Sequence, residues 1–240
     1  MTKSVEIGSW VELAERLEEY REQGWLFRGE AKADYGPLRP KAGRSANQPG
    51  WRRQPYTKQD ERRVLDDFRQ LARPHLSFHP VSGLEWLSIA QHHGLPTRLL
   101  DWTTNLFVAA YFAVEVATEP GVIYCVRDVE EAPDDAGADP FVWESVKVHR
   151  PAALSPRVFA QQSVFTVHHR PHEVFTHPGL ERWLIGAGAC WEIKRNLSAA
   201  GVNAASLFPG LDGLAQHLGW MYKWSYFDSS TQTERSRRKR

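Results

Sequence analysis

Two short stretches of the chain concentrate side chains of the types that hold a charged ligand. The first is Phe27-Arg28-Gly29. An arginine at a strand end beside a glycine can present its planar fork to a phosphate while the backbone comes close. The same spacing also fits a structural arginine paired with a buried carboxylate such as Asp101. The second is Gln91-His92-His93-Gly94-Leu95-Pro96-Thr97-Arg98-Leu99-Leu100-Asp101-Trp102-Thr103. Here Arg98, Asp101 and Thr103 supply donors and acceptors, and Trp102 offers a stacking platform. Plainer roles exist in the same run: His93 as a charge at a helix C-terminus and Thr103 as a helix N-cap.

His168, His169, His172 and His177 form a third group. His172-Glu173 begins an H-E pair, but position 176 is Thr, so the H-E-x-x-H zinc pattern fails. Neighbouring histidines on a strand point to opposite faces, which weakens a shared metal site further. No metal is expected. Cys125 and Cys190 lack C-x-x-C spacing and lie in apolar runs, which reads as core. There is no P-loop, no G-x-G-x-x-G and no G-x-S-x-G nucleophile elbow.

The elements that would position these residues follow from periodicity and punctuation. Ser9 and Glu12 form an S-x-x-E capping box that opens a helix over 9–23, and Gly24 ends it. A short buried strand follows at 25–29. The stretch 31–57 is rich in Gly, Pro and polar residues and reads as a long loop. Helices are predicted over 59–73 and 84–93, the latter stopped by Gly94 with Pro96 beyond. Residues 97–102 read as extended. Thr103 or Thr104 then caps an apolar helix over 106–117. Strands are predicted over 122–126, 141–148, 158–167 and 190–194, with an acidic loop at 128–140. Helical pieces at 197–200 and 211–224 close the order. Helices first and strands afterwards predict an α+β domain.

Composition narrows the class. A chain of 240 residues with 25% charged and 42% hydrophobic residues is long enough to bury a core as one domain without disulfides or metals. No run approaches the length of about 20 apolar residues that spans a bilayer. The polar, acidic start predicts no leader sequence. Two cysteines predict a reducing, cytoplasmic setting. The net charge is +1. Five cations (Arg235, Arg237, Arg238, Lys239, Arg240) face only Asp228 and Glu234 at the end of the chain. The body is therefore slightly acidic, and it lacks the basic surface of a nucleic-acid-binding domain. Residues 229–240 read as a basic, disordered tail with at most a weak contact to nucleic acid.

Four segments together resemble the FRG domain family, named for its Phe-Arg-Gly motif. They are Phe27-Arg28-Gly29, residues 91–114 (QHHGLPTRLLDWTTNLFVAAYFAV), residues 160–166 (AQQSVFT) and residues 207–212 (LFPGLD). The resemblance implies one domain over 1–228, with its core at about 24–218. A more distant similarity is to ADP-ribosyltransferases. Those enzymes carry an aromatic-Arg-Gly strand, a Ser/Thr-rich strand running into an Ala- and Phe-containing helix, and a strand bearing Glu-x-Glu. Phe27-Arg28-Gly29, Asp101-Trp102-Thr103-Thr104 with Ala109, Ala110 and Phe112, and Gln161-Gln162-Ser163 occur in the same order here.

What this second similarity implies is an α+β fold with N-terminal helices on a mostly antiparallel, split sheet, and NAD as ligand and substrate. Arg28 and Gly29 would meet phosphate or ribose, Thr103 would position the nicotinamide ribose, and Trp102 would frame the pocket. His93 or Gln161 would assist orientation, with Arg98 among the ligand-binding residues. A macromolecule would accept the ADP-ribose, in a toxin or phage-defence setting. Catalysis would involve Arg28, Asp101, Thr103 and Gln161. The departure lies at Gln161 and Ser163, which stand where the family has its two carboxylates. A neutral Ser163 cannot stabilise the oxocarbenium ion, so Glu173, Glu144 or Asp101 would have to replace it. The alternative is a module that binds a nucleotide, a protein or a nucleic acid without chemistry.

Overall fold

A computed structural model describes residues 3–22, 24–34, 36–44, 56–133, 135–151 and 155–223. Residues 45–55 of the expected long loop and the basic stretch 229–240 lie outside them. Seven strands are formed: β1 (Lys3–Ile7), β2 (Leu26–Glu30), β3 (Leu99–Thr103), β4 (Gly121–Val126), β5 (Lys147–His149), β6 (Ser163–Val167) and β7 (Glu181–Ile185). They make one mixed α/β sheet in the order β1-β7-β4-β2-β3-β6-β5. Only β1 and β7 run parallel; the other neighbours are antiparallel.

The middle of this sheet is its weakest seam. β2 pairs with β4 from Leu26↔Val126 to Glu30↔Val122, and β3 pairs with β6 from Leu99↔Val167 to Thr103↔Ser163. Between β2 and β3 there is a single registered pair, Phe27↔Thr103. Beyond it the two strands part.

Helices α1 (Trp10–Glu19), α2 (Lys58–Ala72), α3 (Gly83–His92), α4 (Leu106–Ala113), α5 (Pro156–Ala160), α6 (Ala187–Ala199), α7 (Ala204–Leu207) and α8 (211–223) complete the fold. Their starts are set by side-chain caps. Ser9 accepts from the Glu12 N–H at 3.2 Å, Thr57 forms a reciprocal box with Asp60, and Ser82 accepts from the Glu85 N–H. Paired residues on neighbouring strands share a face, so two helical groups lie on one side of the sheet. α1, α4 and α6 bury Phe27, Ile123, Cys125, Trp183 and Ile185. α2 and α3 bury Leu99, Phe165 and Val167. The opposite face carries Leu26, Leu100, Trp102, Val122, Val164 and Phe175.

Helix α4 is apolar all round and lies against the sheet at backbone distance. A β-carbon on Gly29 would stand 1.8 Å from the Ala109 carbonyl oxygen, and one on Gly121 would stand 1.9 Å from that of Ala113. The close approach therefore needs glycine on both strands and small alanines on the helix.

Several expectations are corrected. Strands and helices interleave from the N-terminus instead of segregating. β1 and β7 were not anticipated: β7 hides its alternation because Glu181 and Arg182 find partners, Glu181 with Lys3 and Tyr20 and Arg182 with the Ala33 carbonyl. The run 158–167 divides into α5 and β6, since Ser155 caps the Val158 N–H and Pro156 opens the helix. Residues 190–194 belong to α6, where Cys190, Ile193 and Leu197 are buried at helical spacing. The run 141–148 supplies only the short β5. α4 ends at Ala113, and its cap is Asn105, whose Oδ1 accepts from the Phe107 and Val108 N–H groups. No helix among the described residues is long and apolar enough to cross a membrane.

Candidate functional site

Where β2 and β3 part, a cleft of about 580 Å³ opens between the two helical groups. β2 contributes Phe27, Arg28 and Gly29 to it, and β3 contributes Asp101, Trp102 and Thr103. The end of α3 adds Gln91, His92, His93 and Gly94. α4 provides Val108 and Phe112, and the α5–β6 region provides Arg157, Val158, Gln161, Ser163 and Phe165. Lys41 enters from a 3-10 turn at Lys41–Gly43. The cleft thus has aromatic walls, several amide and hydroxyl groups, three permanent cations and one carboxylate.

Arg28 is held firmly. Its Nε donates to Glu30 Oε1 at 3.0 Å and its Nη2 lies 3.0 Å from the same oxygen. Its Nη1 donates to the Asp101 carbonyl at 2.9 Å and stands 3.6 Å from Asp101 Oδ2. The side chain therefore bridges the parted strands. Glu30 is almost fully buried and was not anticipated, although its position two residues along the same strand face was a readable signal.

Asp101 is half exposed to the cleft. Gln91 holds it with an Nε2 donation to Oδ2 at 3.1 Å, and Gln91 is itself fixed by the Thr97 hydroxyl at 2.7 Å. Of the three acids considered as replacements for a missing glutamate, Asp101 lines the cleft and Glu144 and Glu173 do not. Glu173 pairs with Arg170 at 3.1 Å.

Helix α3 closes with Gly94 in the left-handed region (φ 92°), while the Leu95 N–H returns to the Ala90 carbonyl. That stop leaves His93 exposed at the cleft edge, with the His92 ring edge-on at 5.0 Å. Burial pushes the His92 pKa down, and the neighbouring Arg157 and His93 push it further in the same direction.

The remaining expected residues have other tasks as well. Thr103 is buried, and its Oγ1 accepts from the Asn105 N–H at 3.1 Å, which shapes the turn into α4. Gln161 donates to the Leu207 carbonyl at 3.1 Å, tying α5 to α7. Gly29 borders the cleft, but its missing side chain makes room for α4. Trp102 borders the cleft too, yet its indole packs into the opposite face, donating to Thr166 Oγ1 at 2.9 Å and meeting Phe175 edge-on. It is not a stacking platform; Phe27, Phe112 and Phe165 are the rings of the cleft walls.

Arg98 is outside the cleft. It is 1% exposed, doubly bonded to Glu61, and its guanidinium lies 3.9 Å over the Phe141 ring. Its charge is consumed in joining α2 to β3 and the 140 loop. Lys41 and Arg157 gave no sequence signal, because only the tertiary fold brings them to the cleft.

The histidine group does not gather. His168 is buried against Thr166 at 2.9 Å and desolvation lowers its pKa to about 3, whereas His177 Nδ1 accepts from the Gly179 N–H. Among the described residues, no three His, Cys, Asp or Glu side chains are placed to hold a metal ion.

Neither the curated proteins nor the solved structures contain a match to this chain. A match to a protein family is found over residues 23–121, the segment that contributes β2, Lys41, the end of α3, β3 and α4 to the cleft. The family matched over that segment is the FRG domain family.

Proposed function

We propose that the cleft binds a nucleotide of the NAD class and that Asp101 is the residue through which its glycosidic bond is cleaved. The observation that supports this reading is the position of Asp101. It is the one carboxylate among the described residues lining a cleft that otherwise offers cations, amides and aromatic walls. Those are the groups a phosphorylated ligand with planar rings requires.

In the reaction the C–N bond to nicotinamide breaks and its electron pair leaves with the ring nitrogen. The resulting oxocarbenium ion needs a fixed negative charge beside it. Gln161 and Ser163 cannot supply one, and Asp101, held by Gln91, can. Addition of water or of an acceptor hydroxyl to the ribose carbon, with loss of a proton, completes the transfer.

A second reading, binding without cleavage, is favoured by one feature. Arg28 lies 3.6 Å from Asp101 Oδ2 and offsets part of the field that the cation would feel.

Calorimetry with NAD and with ADP-ribose, beside quantified nicotinamide release, separates these readings. The expected result is binding by both the wild type and Asp101→Asn, with nicotinamide released by the wild type alone. Binding with no release by either protein establishes the second reading. No heat from either nucleotide overturns both.

A further inference from the structure

We propose that Arg157 and Lys41 form the anion subsite of the cleft and take the phosphate groups of its ligand, while Arg28 is a positioning residue. The proposal rests on the nucleotide reading above and adds to it where the phosphates sit.

Arg28 is the obvious candidate by its motif, but all three of its guanidinium nitrogens already face protein acceptors at 3.0 Å or less. Its charge is matched by Glu30, which is 7% exposed at the side chain and fixed on the same strand. A phosphate arriving there would compete with a buried carboxylate that cannot move away, and like charges at that distance repel strongly.

Arg157 and Lys41 differ in this respect. Both line the same cleft, both are exposed, and neither meets a carboxylate among the described residues. Arg157 is pre-set by the Phe208 ring, 4.7 Å from its guanidinium carbon. Stacking on a ring face leaves the in-plane N–H groups of an arginine free for an oxyanion. Lys41 is carried by a turn clamped into the fold. The Ala42 N–H bonds the Thr97 carbonyl at 3.1 Å, and Gly43 sits so close to Pro171 that a β-carbon would lie 1.7 Å from its carbonyl oxygen. With Arg28 balanced by Glu30, the open charges of the cleft are Arg157 and Lys41 against Asp101. That residual positive charge suits a diphosphate.

The test is calorimetry on the full chain with three probes: ADP-ribose, adenosine and inorganic pyrophosphate. Arg157→Gln and Lys41→Gln each weaken ADP-ribose binding about tenfold, and the double variant about a hundredfold, the usual scale for one and two charge-assisted contacts. Adenosine affinity stays unchanged, and so do the melting temperatures, since both residues are exposed. Arg28→Lys, which keeps a cation beside Glu30, retains the preference for ADP-ribose over adenosine. The proposal is overturned if that preference survives in the double variant, or if it vanishes in Arg28→Lys alone. If the wild type binds pyrophosphate through Arg157 and Lys41 but no nucleotide, the nucleotide reading fails and the subsite stands as an anion site. Binding of none of the three probes overturns both.

Discussion

Glu30 Oε1 lies 3.0 Å from both Nε and Nη2 of Arg28, two residues away on the same face of β2. The motif arginine and this carboxylate are therefore one unit, and most of it is removed from water. Changing Arg28 alone does two things at once: it removes a group from the cleft edge and strands a buried negative charge. A lost activity in Arg28→Ala would not by itself identify a ligand contact.

The first prediction concerns that pair. Arg28→Met should destabilise the fold by about 3–5 kcal/mol, the usual cost of leaving a buried charge unpaired. Arg28→Met combined with Glu30→Leu should recover most of the loss, because both charges are then gone. Urea unfolding of the two single variants and the double variant measures the coupling. Simple additivity would show that the pair is not energetically joined.

A second ion pair has no contact with the cleft and serves as a control for stability. Arg98 and Glu61 are 1% and 3% exposed at their side chains, with Nη2 and Oε2 2.8 Å apart. Glu61→Gln should cost about 3 kcal/mol or more in unfolding free energy and leave nucleotide affinity of the folded protein intact. A change in affinity without a change in stability would contradict the separation of the two pairs.

Gly29→Ala should be more damaging than its size suggests. The added methyl would stand 1.8 Å from the Ala109 carbonyl oxygen and 2.7 Å from the Ala113 nitrogen, both backbone atoms that cannot rotate aside. Forcing α4 off the strand should cost about 3 kcal/mol or more, seen as a lowered thermal midpoint. An unchanged midpoint would mean that the helix does not lie where it is placed.

Stability should also fall on acidification before the carboxylates titrate. Burial lowers the His168 pKa to about 3 and the His149 pKa to about 4 from an unfolded value of 6.5. The folded state keeps both rings neutral while the unfolded chain takes up protons below pH 6.5. Stability is thus full above that pH and declines as pH falls toward the folded values, by up to about 1.4 kcal/mol per pH unit for each ring. Urea midpoints between pH 6.5 and pH 5 check the sign, and His168→Asn should flatten the slope. A midpoint that rises with acidification would overturn the assignment.

The sequence disclosed the parts of the fold that local rules govern. Ser9 announces its helix, Gly94 stops α3, and Phe27-Arg28-Gly29 marks the central strand. It was misleading where tertiary partners hide the pattern: β7 carries Glu181 and Arg182 because other elements satisfy them, and the apolar run around Cys190 suits a helix as well as a strand. In the cleft, Asp101, His93 and Thr103 could be named beforehand because they lie in a dense polar run, and Gln161 through the similarity to ADP-ribosyltransferases. Lys41 and Arg157 could not, since each stands alone in sequence and gains meaning only from the fold. Trp102 shares the dense run with Asp101 but faces the other way, since alternation along β3 sends successive side chains to opposite sides, whereas Arg98 precedes β3 and is taken up by Glu61 of α2.

One rung, Phe27↔Thr103, holds the two halves of the sheet together along their common spine. Every other neighbouring pair of strands shares three rungs or more. The spine is therefore the place where the molecule opens most cheaply, and amide hydrogens near it exchange faster than those of β4 or β6. A molecule lodged in the cleft touches both halves and acts as a further rung. Occupancy is then legible as slowed exchange along β2 and β3, even where no atom of the backbone changes position.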